Sequence, residues 1–193
     1  PWLFPAETVI EANGFLIIEA GLDDSSVPFG LARANGEYIA LIAPDGTVVS
    51  EYVYPEQRSG VSYGLAPDGE VRYFLIPSRG SANGFGVAGF VADTAFSVDR
   101  GFYQQPFELT ITSATEGAAV WFTVDGTKPS PDNPGASRFL APLAIDRSTV
   151  VRAVAYWDGW QPTNIDTQTY LFLADVVRQP EEPEGFPTSW GNG

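Results

Sequence analysis

Four side chains in one short segment are of the types that form a sugar-binding surface. Trp157 and Trp160 lie three residues apart, with Asp158 between them and Gln161 directly after. Flat aromatic faces pack on sugar rings, and polar neighbours fix the hydroxyl groups. The pattern predicts a ligand surface on these four residues. The alternative is structural: Tyr156 or Trp157 lies in the core, and Trp160 packs over the adjacent turn.

A second segment carries oxygen donors that suit a divalent cation. Asp125, Asp132 and Asn133 fall within one loop, residues 125–133. Calcium takes oxygen ligands from Asp, Asn and backbone carbonyls of such loops. The spacing is not that of an EF-hand, and Lys128 opposes a nearby cation. Calcium binding at these three residues is one interpretation, and turn formation by Asp125 and Asn133 is the other. No other cofactor is predicted.

Residues 60–64 match the Gly-x-Ser-x-Gly pattern of a nucleophile elbow, in which a strained turn exposes a serine to a histidine base. The chain contains no His and no Cys, so it lacks the usual proton shuttle and the thiol nucleophile. A Pro-Asp-Gly turn follows the pattern where a helix would be needed. Ser62 is therefore predicted to lie in a strand, without a catalytic role.

Two groups of neighbouring carboxylates have the residue types of a glycosidase pair, which needs two acids across a cleft. Asp23 and Asp24 form one group, which also has the oxygen donors of a calcium loop. The other group consists of three glutamates, Glu181, Glu182 and Glu184. Both groups lie in turn-like or Pro-rich segments that offer no burial to raise a pKa. Solvated surface charge is the favoured interpretation, and no enzymatic activity is expected.

The charge of the chain excludes several classes of partner. The formal net charge is −14, and the 10 basic residues form no cluster. Nucleic-acid binding needs a basic patch, and an anionic membrane repels an acidic protein. No apolar run approaches the ~20 residues of a membrane-spanning helix. An acidic chain without Cys that opens at Pro1 with no Met is predicted to be part of a longer protein, secreted or at the cell surface.

The elements that would position these groups are short strands between tight turns. Asn-Gly, Asp-Gly and Pro-Asp-Gly sequences favour hairpin turns. Runs of Val, Thr and aromatic residues between them predict strands. These strands cover residues 15–19, 38–42, 47–52, 71–76, 107–112, 119–124, 149–156 and 167–173. No segment keeps a helical period, so the chain is predicted to be all-β, with one domain at 1–84, a linker at 85–95, a second domain at 96–175 and a tail at 176–193.

The first half contains a succession of motifs that resembles a bacterial lamin-tail domain. They are Trp2-x-Phe4-Pro5, Gly14-Phe15-Leu16-Ile17, Gly36-Glu37-Tyr38-Ile39, Pro44-Asp45-Gly46-Thr47 and Tyr54-Pro55-x-Gln57. The resemblance implies an immunoglobulin-like sandwich. It also implies that the first strands of that domain precede Pro1, which would leave a sheet edge open in this chain.

Residues 96–173 are similar to the chitobiase C-terminal, or fibronectin-III-associated, module. The similarity rests on Phe96-Ser97, Gly101-Phe102-Tyr103, Pro106-Phe107-Glu108-Leu109-Thr110-Ile111, Thr123-Val124-Asp125-Gly126-Thr127-x-Pro129-Ser130, Val151-Arg152-Ala153-x-Ala155 and Thr169-Tyr170. The tandem resembles the region upstream of spore-coat-type kinase-like domains in large secreted bacterial proteins. That resemblance implies an accessory role.

Together these observations predict two immunoglobulin-like β-sandwich domains in tandem with no catalytic function. The expected role is to space, orient or attach a larger secreted or cell-surface bacterial protein. Its partners would be other domains of that protein, and also polysaccharide or a surface protein. One alternative is a carbohydrate-binding accessory module of a multidomain enzyme. A second alternative is an assembly subunit that uses an open sheet edge.

Overall fold

The computed structural model describes residues 2–21 and 27–178. The chain divides into two compact units, Pro1–Gly89 and Phe90–Gly193. Regular structure in the described residues is almost entirely β, apart from one helical turn, α1, at Leu173–Val176. The predicted all-β class is confirmed, and the architecture is consistent with immunoglobulin-like β-sandwiches. None of the described residues belongs to a helix that is long and apolar enough to span a membrane.

The N-terminal unit contains two antiparallel hairpins. Its strands are β1 (Glu37–Ile42), β2 (Val48–Tyr54), β3 (Ser62–Leu65) and β4 (Val71–Phe74), with β1 paired to β2 and β3 to β4. Both hairpins turn through Ala-Pro-Asp-Gly, at residues 43–46 and 66–69. In each turn the aspartate accepts the N–H two residues on, at 2.9 Å and 3.1 Å, and the glycine has φ of 88° or 85°. The predicted Pro-Asp-Gly turns are confirmed.

The strand predicted over residues 15–19 is wrong. This segment forms no ladder with any described strand, and the nearest pairing is an isolated bridge between Ala20 and Val27. Its apolar side chains have strand propensity and remain exposed. A strand needs a neighbour that accepts and donates its backbone hydrogen bonds. Propensity alone therefore did not produce a strand here.

Burial of apolar side chains differs strongly between the two units. In the N-terminal unit the described buried hydrophobics are Val27, Ala66 and Phe74, whereas Val53 on β2 is 76% exposed. A two-stranded hairpin buries little apolar surface by itself. The open sheet edge and the missing first strands stay predictions for this unit.

The C-terminal unit is built from two packed layers. Its strands are β5 (Thr94–Phe96), β6 (Gly101–Tyr103), β7 (Phe107–Leu109), β8 (Ile111–Ser113), β9 (Ala119–Thr123), β10 (Ser137–Arg138), β11 (Leu143–Ile145), β12 (Thr149–Tyr156) and β13 (Asp166–Phe172). One layer has the order β10-β9-β12-β13-β6. The other consists of the pairs β5-β8 and β11-β7, because β7 and β8 are successive parts of one strand that is interrupted at Thr110.

The core of this unit lies between the two layers. Leu109, Ile111 and Ile145 come from one layer and pack with side chains of the other, such as Val151 and Ala153. All five are at most 2% exposed. Alternating strands of this kind bury one face and leave the other in water. The predicted strands at 119–124, 149–156 and 167–173 supply one wall of the core and are confirmed to within a residue or two.

Tyr170 stabilises the segment in which the chain crosses from one layer to the other. The chain leaves β5 in one layer and enters β6 in the other, where β6 runs parallel to β13. The Tyr170 side chain on β13 is fully buried, and its hydroxyl donates to the backbone oxygen of Val98 at 2.9 Å. The rings of Tyr103 and Phe107 lie 5.9 Å and 5.3 Å from the Tyr170 ring. Burial raises the pKa of Tyr170 to about 12.

The segment predicted as a linker, residues 85–95, carries ordered hydrogen bonds in each unit. Val87 exchanges two backbone hydrogen bonds with Tyr73, at 2.8 Å and 2.9 Å, within the N-terminal unit. Val91 is buried in the core of the C-terminal unit, and its N–H donates to the oxygen of Gln161 at 2.9 Å. Of the predicted tail, 176–193, only residues 176–178 are described, and Val176 is the last residue of α1.

Candidate binding surface

The predicted sugar-binding residues lie in the connection between β12 and β13. A turn brings the N–H of Trp160 to the oxygen of Trp157 at 3.1 Å, and Gly159 completes it with a φ of 72°. Thr163 closes the base of this connection, because its hydroxyl accepts the N–H of Ala155 at 3.0 Å. The turn predicted at Asp158-Gly159 is confirmed. The connection is short and hydrogen-bonded, so its outermost residues, 157–160, are held at the end of β12 and are called the tip below.

Trp157 is held against the loop that joins β8 to β9. Its indole ring lies over Gly117, where an added Cβ would be 2.3 Å from Cζ3 of the ring. Gly117 also has a φ of 80°, a conformation that L side chains rarely adopt. Trp157 as a residue remains 41% exposed. Two loops that are distant in sequence thus present one fixed aromatic side chain to solvent.

The other three predicted residues have different surroundings. Asp158 is exposed next to Trp157. Trp160 is partly buried and packs against the core, whereas the structural interpretation placed this residue over the adjacent turn and Tyr156 or Trp157 in the core. Gln161 is also partly buried, and its backbone oxygen holds Val91. The structure therefore brings Trp157 and Asp158 to the surface, whereas Trp160 and Gln161 contribute to packing.

The loop of the predicted calcium site is organised by its own hydrogen bonds. Asp125 accepts from the hydroxyl and the N–H of Thr127, at 2.6 Å and 2.9 Å, and these bonds hold its pKa below the usual value. The amide of Asn133 donates to Thr127 and Lys128 and accepts from Gly135. Such bonds are those of turn-forming residues.

Asp132 lies on the same loop and near a neighbouring tyrosine. The pKa of Tyr156 is raised by burial and, to a smaller extent, by the charge of Asp132. Within the described ranges no group of three or more acidic, His or Cys residues is placed to hold a metal ion. Calcium binding by Asp125, Asp132 and Asn133 stays a prediction.

The structure describes only some of the other candidate site residues that the sequence suggested. Ser62 is the first residue of β3, whose hairpin continues directly into β4 without a helix, so the predicted strand is confirmed. The acidic pair Asp23 and Asp24 and the glutamates of the C-terminal segment, Glu181, Glu182 and Glu184, lie outside the described residues. Sequence reasoning had no local signal for Gly117, whose role depends on a ring from another loop.

Part of the chain matches the model of a known protein family. Residues 98–167 match the family model of the chitobiase/β-hexosaminidase C-terminal domain. The matched residues run from the crossing before β6 to the start of β13, and they include Trp157, Asp158, Trp160 and Gln161. This confirms the predicted resemblance over most of the C-terminal unit. Comparison with curated proteins and with solved structures finds no match. The lamin-tail resemblance of the first half stays a prediction.

Proposed function

We propose that the chain is a non-catalytic structural and interaction module that spaces, orients or attaches a larger secreted or cell-surface protein of bacterial origin. The main support is the C-terminal unit, a two-layered sandwich whose β12–β13 connection presents Trp157 to solvent. Domains of the matching family are accessory, carbohydrate-associated modules of multidomain enzymes and occur in extracellular enzymes. Its partners would be other domains of the same protein, together with polysaccharide or a surface protein.

The chemistry of the acidic side chains supports a role without catalysis. Where the pKa of a described carboxylate is shifted, it is lowered, and hydrogen bonds at the protein surface are the main cause. Asp45 accepts from Thr47, and Asp175 accepts from Ser148. Catalytic acids need the opposite shift, which comes from burial or from a like charge. The absence of His and Cys from the sequence points the same way.

Co-sedimentation tests this proposal directly. The chain is expected to enter the pellet with a polysaccharide-rich bacterial cell-wall fraction and to release no soluble product from it. The pellet is measured by gel electrophoresis and the supernatant by sugar analysis. Retention in the supernatant would contradict attachment to the wall, and released product would contradict the absence of catalysis.

Exposure of Trp157 favours a second candidate, a carbohydrate-binding module that serves a separate catalytic domain. An indole that packs over Gly117 has fewer conformations to lose when a sugar ring packs on it. Asp158, exposed beside it, offers oxygens to sugar hydroxyls. Oligosaccharides of β-linked amino sugars are the first probes, because the name of the matching family refers to enzymes that cleave them.

The Trp157→Ala variant tests this second candidate. We expect it to weaken oligosaccharide binding about tenfold or more, because an aromatic contact of this size is lost. Phe102→Ala is the matched control: Phe102 is 70% exposed on β6, the edge strand of the same sheet, two strands away from β12. Isothermal titration calorimetry measures both variants. Equal binding by the wild type and Trp157→Ala would rule out this tip as the sugar site.

A further inference from the structure

A shallow groove lies beside the loop that presents Trp157. Its volume is about 270 Å³, and its lining includes Glu116, Gly117, Arg138, Phe139 and Leu140. Leu140 is 81% exposed. The groove thus combines an exposed apolar side chain with two charged groups on the surface of one unit. No candidate residue predicted from the sequence lies in it.

The two charged side chains have unused hydrogen-bonding capacity. Within the described part of the chain, neither the guanidinium of Arg138 nor the carboxylate of Glu116 makes a hydrogen bond or an ion pair. Arg138 offers up to five N–H donors in a planar fork, and Glu116 offers two acceptor oxygens. A ligand with hydroxyl groups can both accept from the first and donate to the second.

The groove and the Trp157 ring share one residue, Gly117. Strand β9 lies between β10, which carries Arg138, and β12, which leads into Trp157. Neighbouring strands are ~4.8 Å apart, so β10 and β12 are about 10 Å apart. Gly117 lines the groove and also contacts the Trp157 ring. A ligand of two or more sugar units is long enough to reach from the ring into the groove.

We propose that this groove is a second subsite for a neutral oligosaccharide, whose adjacent sugar packs on Trp157. The inference rests on the carbohydrate-binding function. Charge selects the ligand class: the groove carries one basic and one acidic side chain, and the whole chain has a net charge of −14, which repels polyanions. Glu116 and Arg138 are both exposed, so hydroxyl groups of a ligand can reach them, whereas a purely apolar ligand would gain no hydrogen bond from either side chain.

The test compares a short and a long probe on the wild type and four variants. The single sugar N-acetylglucosamine and a chitin oligosaccharide of five sugars are titrated into the wild type, Arg138→Ala, Trp157→Ala and Phe102→Ala, the last as the control. The wild type is expected to bind the longer probe more tightly. Arg138→Ala should weaken binding of the longer probe about tenfold through loss of charged hydrogen bonds, with a smaller effect on the shorter one. Glu116→Gln, which keeps the side-chain shape, should weaken it less.

Each outcome has a distinct meaning. Loss of the length-dependent gain in Arg138→Ala, with unchanged binding in Phe102→Ala, supports the subsite. If Trp157→Ala loses binding while Arg138→Ala keeps the full gain, the groove proposal is wrong and the carbohydrate-binding function stands. If the wild type binds neither probe, the carbohydrate-binding function fails for this ligand class, and the groove proposal fails with it. Thermal unfolding of each variant confirms that it is folded.

Discussion

Replacing Tyr170 with alanine is expected to lower the free energy of unfolding of the C-terminal unit by about 3–5 kcal/mol, the usual cost of deleting a fully buried aromatic side chain. The change removes the ring that packs on Tyr103 and Phe107. It also removes the hydroxyl that holds the backbone of Val98 at the crossing between the layers. Urea titration, followed by amide NMR signals of β12 and β13, measures the effect on this unit alone.

Tyr170→Phe separates the hydroxyl from the ring. It leaves the aromatic packing in place and should cost about 0.5–1.5 kcal/mol, the net value of one hydrogen bond. The pKa of Tyr170 is raised to about 12, so the folded state favours its neutral form. Its contribution to stability is therefore complete below pH 10 and is lost as the pH rises from 10 through 12. Tyr170→Phe should show a smaller alkaline loss than the wild type. Equal losses in the two proteins would contradict this role for the hydroxyl.

Gly117→Ala is expected to displace Trp157 and to lower the free energy of unfolding by about 2–4 kcal/mol. Two costs add up: alanine is disfavoured in a left-handed backbone conformation, and its Cβ clashes with the indole. The φ of Gly117 is 80°, and the new Cβ would lie 2.3 Å from the indole. The ring or the loop must move. The indole N–H signal of Trp157 should therefore shift in the NMR spectrum, and binding of a sugar at the tip should weaken with it.

Gly126→Ala is the matched control for this prediction. Gly126 has a φ of 79°, and nothing lies within 4 Å of its added Cβ. The two variants therefore have the same backbone cost, and the difference between them measures the contact with Trp157. If both variants lost equal stability and left the Trp157 signal in place, Gly117 would have no positioning role.

Local chemistry made the turns predictable. Asp45 and Asp68 each accept the N–H two residues on, and the glycine that follows tolerates positive φ. These interactions involve a few consecutive residues, so a short stretch of sequence encodes them. The failed strand at residues 15–19 shows the limit of local information. Its residues have the propensity, but a strand depends on a neighbour that propensity does not specify.

Within the candidate site, nothing in the local sequence distinguishes the exposure of Trp157 from that of Trp160. Both are tryptophans in one turn, yet only Trp160 packs against the core. The difference arises because Gly117, from the β8–β9 loop, supports one ring from below and leaves it open to solvent. Arg138 and Glu116 likewise come together only through the strand order of the folded sheet. No spacing rule connects such residues in the sequence.

The amino-acid sequence by itself determined the all-β class, the tight turns, the acidic surface and the resemblance of the C-terminal unit to its family. These properties follow from composition and from interactions between near neighbours. Only the tertiary structure decided which aromatic side chain faces solvent, where the groove lies and how Tyr170 stabilises the chain segment that crosses between the two layers. These properties depend on contacts between segments that are far apart in the chain, because burial is set by what packs on a residue and not by its type.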